Sequence, residues 1–201
     1  MTQKRFSFAI LFLALLAPPA WAEKLSLDAL SQYLNGLRTA KTEFTQVNED
    51  GTLATGTIYI KRPGRIRFEY NPPDKSLVLA SNGQLAIFDP KGDGAESYPL
   101  SKTPLSLILD KNIDLGRAKM VTGHGYDAQS KATILTAQDP EHPEYGNIRL
   151  VFTGPSPQLR QWVITNENGT ETTVILGDMQ LDLRIPNRMF EIKLNNGAEN
   201  K

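Results

Sequence analysis

Residues 56–70 read GTIYIKRPGRIRFEY, and this stretch decides the fold because it is a strand, a tight turn and a second strand in succession. Side chains alternate between the two faces of a strand, so Ile58, Ile60 and Arg62 share one face. The arginine is therefore directed at the apolar side. A guanidinium keeps its charge in proteins, so this one needs carbonyl or carboxylate acceptors at the edge of the apolar surface.

Short runs rich in β-branched and aromatic residues continue this pattern along the chain. The predicted strands are 42–48, 55–62, 65–70, 76–81, 84–88, 117–122, 132–137, 147–153, 159–165, 171–177 and 189–194. Asn82-Gly83 between two of them is typical of a tight hairpin. Before the strands, apolar residues at helical spacing from Leu27 to Leu37 predict one amphipathic helix that ends near Gly36. The chain is thus predicted to be mainly β with a few helices, built on a single antiparallel sheet that curls or closes.

A second short helix is predicted in the middle of the strands. Thr103 is a suitable cap, Pro104 suits the first helical position, and Leu105, Ile108 and Leu109 then fall on one face. A helix of this length is not stable alone, so it must lie across an apolar surface. The nearest candidate is the concave face of the sheet.

The first 22 residues have the layout of a cleaved secretory signal. A basic tip at residues 4–5 is followed by an apolar run at 6–17 and an Ala-Trp-Ala ending. We expect cleavage after Ala22, because the apolar run is too short for a permanent membrane anchor; an uncleaved anchor is the alternative. Residues 23–201 then form a single domain that we expect to be soluble outside the cytoplasm.

Charge and cysteine content exclude several classes of function. The chain has 22 basic and 22 acidic residues. Removing residues 1–22 takes away two basic residues and no acidic ones, which leaves 20 basic and 22 acidic residues and a formal charge of −2. Such a chain has no basic excess for binding nucleic acid or an anionic membrane. It has no cysteine, which excludes disulfides, thiolate metal sites, a cysteine nucleophile and an N-terminal lipid anchor.

No constellation of residues indicates catalysis. His124 lies near Asp127, but no second histidine, activated serine or phosphate loop accompanies it, so we interpret this segment as an ordinary turn. Residues 89–94 combine two acids with two glycines without the ligand spacing of a calcium loop, which favours a solvated hairpin tip. We therefore predict a protein that is not an enzyme, with no catalytic residues, no metal and no cofactor.

The apolar strand residues have two interpretations. Periodicity alone favours a filled core, because most inward faces are core. A ligand cavity is favoured by the combination of one large curled sheet, few helical residues to fill it, and Arg62 at the rim beside a short lid. The predicted cavity lining is Phe44, Ile58, Ile60, Ile66, Phe68, Tyr70, Leu77, Leu79, Ile87, Trp162 and Ile164.

Residues 25–193 resemble the periplasmic outer-membrane lipoprotein carrier family, LolA. The likeness is carried by Phe44-Thr45-Gln46, by residues 56–70 with their Lys-Arg-Pro-Gly-Arg turn, by Asn71-Pro72-Pro73, Ser81-Asn82-Gly83 and Thr103-Pro104-Leu105, and by the hairpin from Leu159 to Gly169. The Arg-Pro turn between two strands is its most specific element. The chain departs from the best-known pattern in the short tail after Phe190.

The resemblance implies an unclosed β-barrel, capped by short lid helices, that holds lipoprotein acyl chains without chemistry. Arg62 then corresponds to the family's lid-contacting arginine, and the lid helix carries Leu105, Ile108 and Leu109. The implied partners are lipoproteins as cargo, an inner-membrane ABC-type releasing complex, and an outer-membrane receptor or the outer membrane itself. A periplasmic monomer is expected. A carrier or sensor of free lipid or glycolipid with the same fold is the alternative.

Overall fold

The computed structural model describes residues 24–89 and 95–195 of the chain. The expected signal segment at 1–22 and most of the predicted hairpin tip at 89–94 lie outside the described residues. None of the helices within the described residues is long and apolar enough to span a bilayer.

The described residues form one antiparallel sheet with short helices. The strands are β1 (Thr39–Val47), β2 (Leu53–Lys61), β3 (Arg65–Tyr70), β4 (Leu77–Ser81), β5 (Gln84–Phe88), β6 (Ala95–Pro99), β7 (Val121–Asp127), β8 (Ala132–Gln138), β9 (Asn147–Thr153), β10 (Gln158–Thr165), β11 (Glu171–Leu176) and β12 (Gln180–Leu181). The α-helices are α1 (Leu27–Gly36), α2 (Leu105–Leu109) and α3 (Ile192–Asn195), and 3-10 turns occur at Leu100–Lys102, Pro143–Tyr145 and Asn187–Phe190.

The sheet is an unclosed barrel, as predicted. Its strand order is β6-β5-β4-β3-β2-β1-β11-β10-β9-β8-β7, with β12 paired to β1. Strands β6 and β7 are the two edges in this order, and the chain between them carries α2. The connection that holds α2 therefore starts at one edge of the sheet and returns to the other.

The helix predicted near residues 27–37 is α1. The Ser26 side chain caps its start by accepting a hydrogen bond from the amide of Ala29 at 3.1 Å. Leu30 and Leu34 are fully buried against the inner face of the sheet. Burial of this stripe, more than helix propensity, stabilises a helix of ten residues.

Two strand predictions were wrong, and strands β6 and β12 were not predicted. The strand predicted at 117–122 forms at Val121–Asp127, so His124 lies in a strand and not in a turn. Residues 189–194 form a 3-10 turn and α3 in place of a strand, because Met189, Phe190 and Ile192 pack on the outside of the sheet. Strand β6 was not predicted because it is mostly polar and exposed, and its pairing with β5 holds it in place.

The sheet is covered on both faces at β2–β5. Its inner face packs against α1 and α2. On its outer face Leu79 packs against Ile185 and Phe190 of the C-terminal segment. Lys61 also binds this segment, because its Nζ donates to the carbonyl oxygen of Ile185 at 2.6 Å. The outer cover explains why a strand in this half of the sheet can be apolar on both sides.

Candidate functional site

The site is built on the turn between β2 and β3, residues 62–64. Strand β2 ends at Lys61 and β3 begins at Arg65, and these two residues pair across the hairpin. Gly64 has a φ of 70°, which a glycine adopts without strain. The turn therefore projects the Arg62 side chain from the end of the barrel towards the two helices.

Arg62 connects this turn to both helices. Its guanidinium donates to the carbonyl oxygen of Leu34 and to the Oδ1 of Asn35 at the end of α1. It also donates to the carbonyl oxygen of Asp110, the residue that follows α2. The last carbonyl groups of a helix lack partners within the helix and carry partial negative charge. One cation thus binds acceptors at the ends of two helices.

Burial and charge affect the hydrogen bonds of Arg62 to the two helices in opposite directions. Burial lowers the pKa of its guanidinium, and the Asp110 carboxylate opposes that shift. Arginine still carries its charge at neutral pH. Among the described residues, its buried Nε has no hydrogen-bond acceptor. A buried donor without a partner costs about 1–3 kcal/mol, so the closed arrangement is less stable than its hydrogen bonds alone suggest.

Helix α2 lies across the inner face, in the position expected for the second helix. Leu105, Ile108 and Leu109 are all buried there, and so is Leu107. The predicted cap differs, because Thr103 uses its hydroxyl to donate to the carbonyl oxygen of Leu100 and does not cap α2. We call residues 103–110 the lid segment.

Most of the predicted cavity lining shares one face and packs into one apolar cluster with the helices. That set is Phe44, Ile58, Ile60, Ile66, Phe68, Tyr70, Trp162 and Ile164. Ile87 is half-buried on the same face, opposite Val78. In this arrangement the inner side chains pack in one cluster with α1 and α2.

Leu77 and Leu79 do not belong to that face, which corrects the prediction. They pair with Glu69 and Arg67 on β3, so both project from the outer side. Leu79 contacts the C-terminal segment instead. A strand that is apolar on both faces gives no alternation from which to choose a register, and a shift of one residue exchanges the two faces.

Aromatic side chains form the centre of the inner face. The ring of Phe44 meets Phe68 at 5.8 Å and Tyr70 at 5.1 Å between centroids, and Phe68 meets Trp162 at 6.0 Å, all edge to face. The Tyr70 hydroxyl donates to the Oε1 of Gln46 at 2.7 Å. Burial raises the pKa of Tyr70 to about 12, which keeps this hydroxyl neutral. The apolar face thus contains an uncharged hydroxyl that already has its partner.

A cavity of about 790 Å³ lies beside the lid segment, next to the β2–β3 turn. Its apolar lining residues are Leu100, Leu107, Leu109, Ile113, Ala118 and Met120. Its charged lining residues are Asp110, Lys111, Asp114, Arg117 and Lys119. The cavity is bordered by the β2–β3 turn, by α2 and by the residues that follow α2.

Two side chains of α1 that the sequence analysis missed hold the chain after α2. The Oδ1 of Asn35 accepts from the amide of Ile113 at 3.0 Å, and its Nδ2 donates to the carbonyl oxygen of Ile113 at 2.8 Å. The Oγ of Ser31 accepts from the amide of Leu115 at 3.0 Å. Ser31 and Asn35 are four residues apart and so share a helix side next to Leu30 and Leu34. A polar pair beside an apolar helix stripe is the sequence pattern from which these two contact residues could have been predicted.

His124 has a structural contact in place of a catalytic one. Its Nε2 lies 2.8 Å from the carbonyl oxygen of Leu25, and the amide of Leu25 donates to Thr133 at 2.9 Å. The residues before α1 are thereby fastened to β7 and β8. Within residues 24–89 and 95–195, no group of three or more His, Asp or Glu side chains could hold a metal ion.

Fold and site together define an unclosed antiparallel barrel whose apolar inner face packs against two helices that Arg62 joins by hydrogen bonds. The chain matches the family described as outer membrane lipoprotein carrier protein LolA over residues 35–193. It is 29% identical over 188 residues to the outer-membrane lipoprotein carrier protein of Methylococcus capsulatus, covering 89% of this chain and 88% of that protein. The corresponding protein of Coxiella burnetii is 24% identical over 187 residues, covering 85% and 83%.

A solved structure of a LolA superfamily protein from Nitrosomonas europaea is 11% identical, with a TM-score of 0.44, and the match covers 85% of this chain and 99% of that one. The family match extends over most of the described residues and includes the β2–β3 turn and the lid segment. The chain belongs to the LolA family.

Proposed function

We propose that this protein is a periplasmic carrier that binds the acyl chains of lipoproteins under its lid and takes lipoproteins from the inner to the outer membrane. The observation that carries the proposal is that Arg62 binds carbonyl groups of both helices and so closes α2 over an apolar face. The relatives named as outer-membrane lipoprotein carrier proteins support lipoproteins as the cargo. The carrier acts by binding and release and performs no reaction.

The proposed pathway follows from this role. Residues 1–22 direct export and are removed, and the remaining chain acts as a monomer. An inner-membrane ABC-type complex supplies the energy for loading. An outer-membrane receptor, or the outer membrane itself, takes the cargo.

The free energy of acyl-chain burial explains why such a carrier needs a lid that competes with cargo. Burying methylene groups contributes about 0.8 kcal/mol each, so ten of them contribute about 8 kcal/mol. Binding of that strength would oppose release. A hydrogen bond from a charged group contributes about 1.5–3 kcal/mol, so the bond of Arg62 to the carbonyl oxygen of Asp110 in the lid segment offsets part of the acyl binding energy. Closure of the lid then weakens net binding enough for transfer.

Binding of a fluorescent fatty acid tests the proposal directly. The purified chain without residues 1–22 should bind dansyl-labelled undecanoic acid at about one site per chain, since opening exposes one apolar face. A triacylated lipoprotein N-terminal peptide should displace the probe, and the same peptide without acyl chains should not. Absence of saturable binding would refute the carrier proposal.

The identity of the cargo needs a second measurement. Protein purified from the periplasm of the native host should release a triacylated cysteine peptide or an intact lipoprotein when it is analysed by mass spectrometry. Recovery of an unlinked lipid in place of a lipoprotein would refute lipoproteins as the cargo and support a carrier of free lipid.

A further inference from the structure

Helix α1 has hydrogen bonds to the sheet along its length, whereas the lid segment does not. Before its start, Leu25 binds Thr133 on β8 and His124 on β7. In its middle, the Tyr33 hydroxyl accepts from the amide of Leu159 on β10 at 3.1 Å. The Tyr33 ring also meets Phe152 on β9 edge to face, with centroids 6.1 Å apart. These contacts all reach the half of the barrel opposite the Arg62 turn.

The lid segment has a different set of contacts. At the turn, the amide of Gly64 donates to the carbonyl oxygen of Leu109 at 2.9 Å, and Arg62 donates to Asp110. A few residues further on, Ile113 and Leu115 bind side chains of α1. Residues 109–110 can therefore separate from the β2–β3 turn when few hydrogen bonds break. Separation of residues 113–115 from α1 requires three further hydrogen bonds to break, and these involve the buried residues Ile113 and Leu115.

We propose that Ser31 and Asn35 anchor residues 113–115 to a fixed α1, so that opening moves α2 alone. The anchor defines the end about which the lid segment swings away from the Arg62 turn. Asn35 and Ser31 are positioning residues in this account, because they act on the lid through the main chain of Ile113 and Leu115. Only the expected effect of the anchor on cargo binding rests on the proposed function.

Amide hydrogen exchange, resolved by residue with NMR, tests the anchor without any ligand. Replacing Arg62 by leucine should speed exchange at the Gly64 amide by about tenfold or more, because its acceptor Leu109 moves away. The amides of Ile113, Leu115 and Leu159 should stay within about twofold of the wild type. Faster exchange at Ile113 and Leu115 together with Gly64 would overturn the anchor. Faster exchange at Leu159 would show that α1 moves, which also overturns it.

A variant of the anchor itself gives a second test, and Ser31 is the cleaner choice because Arg62 does not contact it. The S31A variant should speed exchange at Leu115 by about tenfold, and S31T, which keeps the hydroxyl, should restore the wild-type rate. A loosened anchor weakens the closed state, so S31A should bind dansyl-labelled undecanoic acid about three- to tenfold more tightly.

The two arms separate failure of the anchor from failure of the carrier proposal. A purely structural Ser31 predicts a lower melting temperature with unchanged or weaker probe binding in S31A, and that result would overturn the anchor. If no form of the protein binds the probe, the carrier proposal fails, while the exchange pattern still decides whether α1 is fixed.

Discussion

The main-chain amide of Gly64 donates to the carbonyl oxygen of Leu109 at 2.9 Å, so the lid segment is bound to the β2–β3 turn by its backbone as well as by Arg62. The two donors, Arg62 and Gly64, are two residues apart on the turn, and their acceptors, Leu109 and Asp110, are adjacent on the lid segment. Substitution of Arg62 does not remove the groups of the Gly64–Leu109 hydrogen bond. Loss of that bond in an Arg62 variant would therefore show that the Arg62 side chain controls closure of the lid segment.

Charge placed on the lid segment should impair cargo retention more than folding. Ile108 on α2 is 4% exposed and Ile148 on β9 is 0% exposed, so the two are matched in residue type and burial. Replacing Ile148 by aspartate should unfold the protein, because a central strand cannot move the charge to solvent. Replacing Ile108 by aspartate should lower the free energy of unfolding by only about 1–2 kcal/mol, since the lid segment can open locally.

Urea unfolding and probe binding on the two isoleucine variants check this prediction. The Ile108 variant should remain folded and release the fatty acid probe at least about tenfold faster, because the loss of an apolar contact between Ile108 and the acyl chain in the loaded form outweighs the weaker closure of the empty form. Equal loss of stability in both variants would mean that residues 103–110 belong to the core.

A photoreactive fatty acid should label one face of the sheet. Ile66 and Leu79 are both fully buried but project to opposite sides of neighbouring strands. A diazirine-modified fatty acid bound to the wild-type protein should therefore modify residues of the inner face, such as Ile66 and Phe68, and spare Leu79. Peptide mass spectrometry after irradiation locates the label. Labelling at Leu79 would contradict an acyl site on the inner face.

Stability should fall at high pH because of Tyr70. Burial, with a smaller contribution from the Asp74 charge, raises its pKa from 10.0 to about 12. Above pH 10 the unfolded chain loses this proton while the folded protein keeps it, so the unfolded state binds fewer protons and stability falls between about pH 10 and 12. The expected loss is about 2–3 kcal/mol.

The tyrosine prediction is checked by comparing Tyr70→Phe with the wild type in urea unfolding between pH 9 and 12. The variant lacks this proton, so its free energy of unfolding should fall less steeply over that range. It should also be slightly less stable at pH 8, because the hydrogen bond to Gln46 is lost. Identical pH profiles would show that Tyr70 is not buried as described.

The sequence was sufficient for the elements whose local pattern agrees with their tertiary role. The alternation around Ile58 and Ile60 and the turn at 62–64 predicted the hairpin and the side to which Arg62 projects, and the helical spacing predicted α1. Helix α2 was predictable from Pro104 and the leucines after it. In β2 and β3 buried residues alternate with less buried ones, and in α1 the buried residues recur at helical spacing, so the periodicity of these elements survives in the sequence.

The remaining features depend on contacts between distant segments. The face of Leu79 is decided by Ile185 and Phe190, more than a hundred residues away, because they cover the outside of β4. Strand β6 is held by its pairing with β5 and has no apolar pattern of its own. The hydrogen bonds of Asn35 to Ile113 join residues that are distant in the sequence and meet only in the folded chain. Neither residue type predicts the contact.

The role of Arg62 is tested most directly by Arg62→Leu, with Arg65→Leu as the matched control on the other side of the same turn. The Arg62 variant keeps an apolar stem but lacks the donors that bind Leu34, Asn35 and Asp110. Its closed form is destabilised, so acyl chains meet less competition and stay bound. The Arg65 variant should load and transfer cargo as the wild type does.

The decisive measurement is transfer of a loaded lipoprotein from the carrier to outer-membrane vesicles, with loading and melting temperature recorded on the same preparations. The account predicts that Arg62→Leu loads normally and transfers at least about tenfold more slowly, so that a soluble carrier–lipoprotein complex accumulates. Transfer at the wild-type rate would contradict the account. Loss of loading and transfer together with a lowered melting temperature would contradict it equally, because it would show that Arg62 supports folding and does not control release.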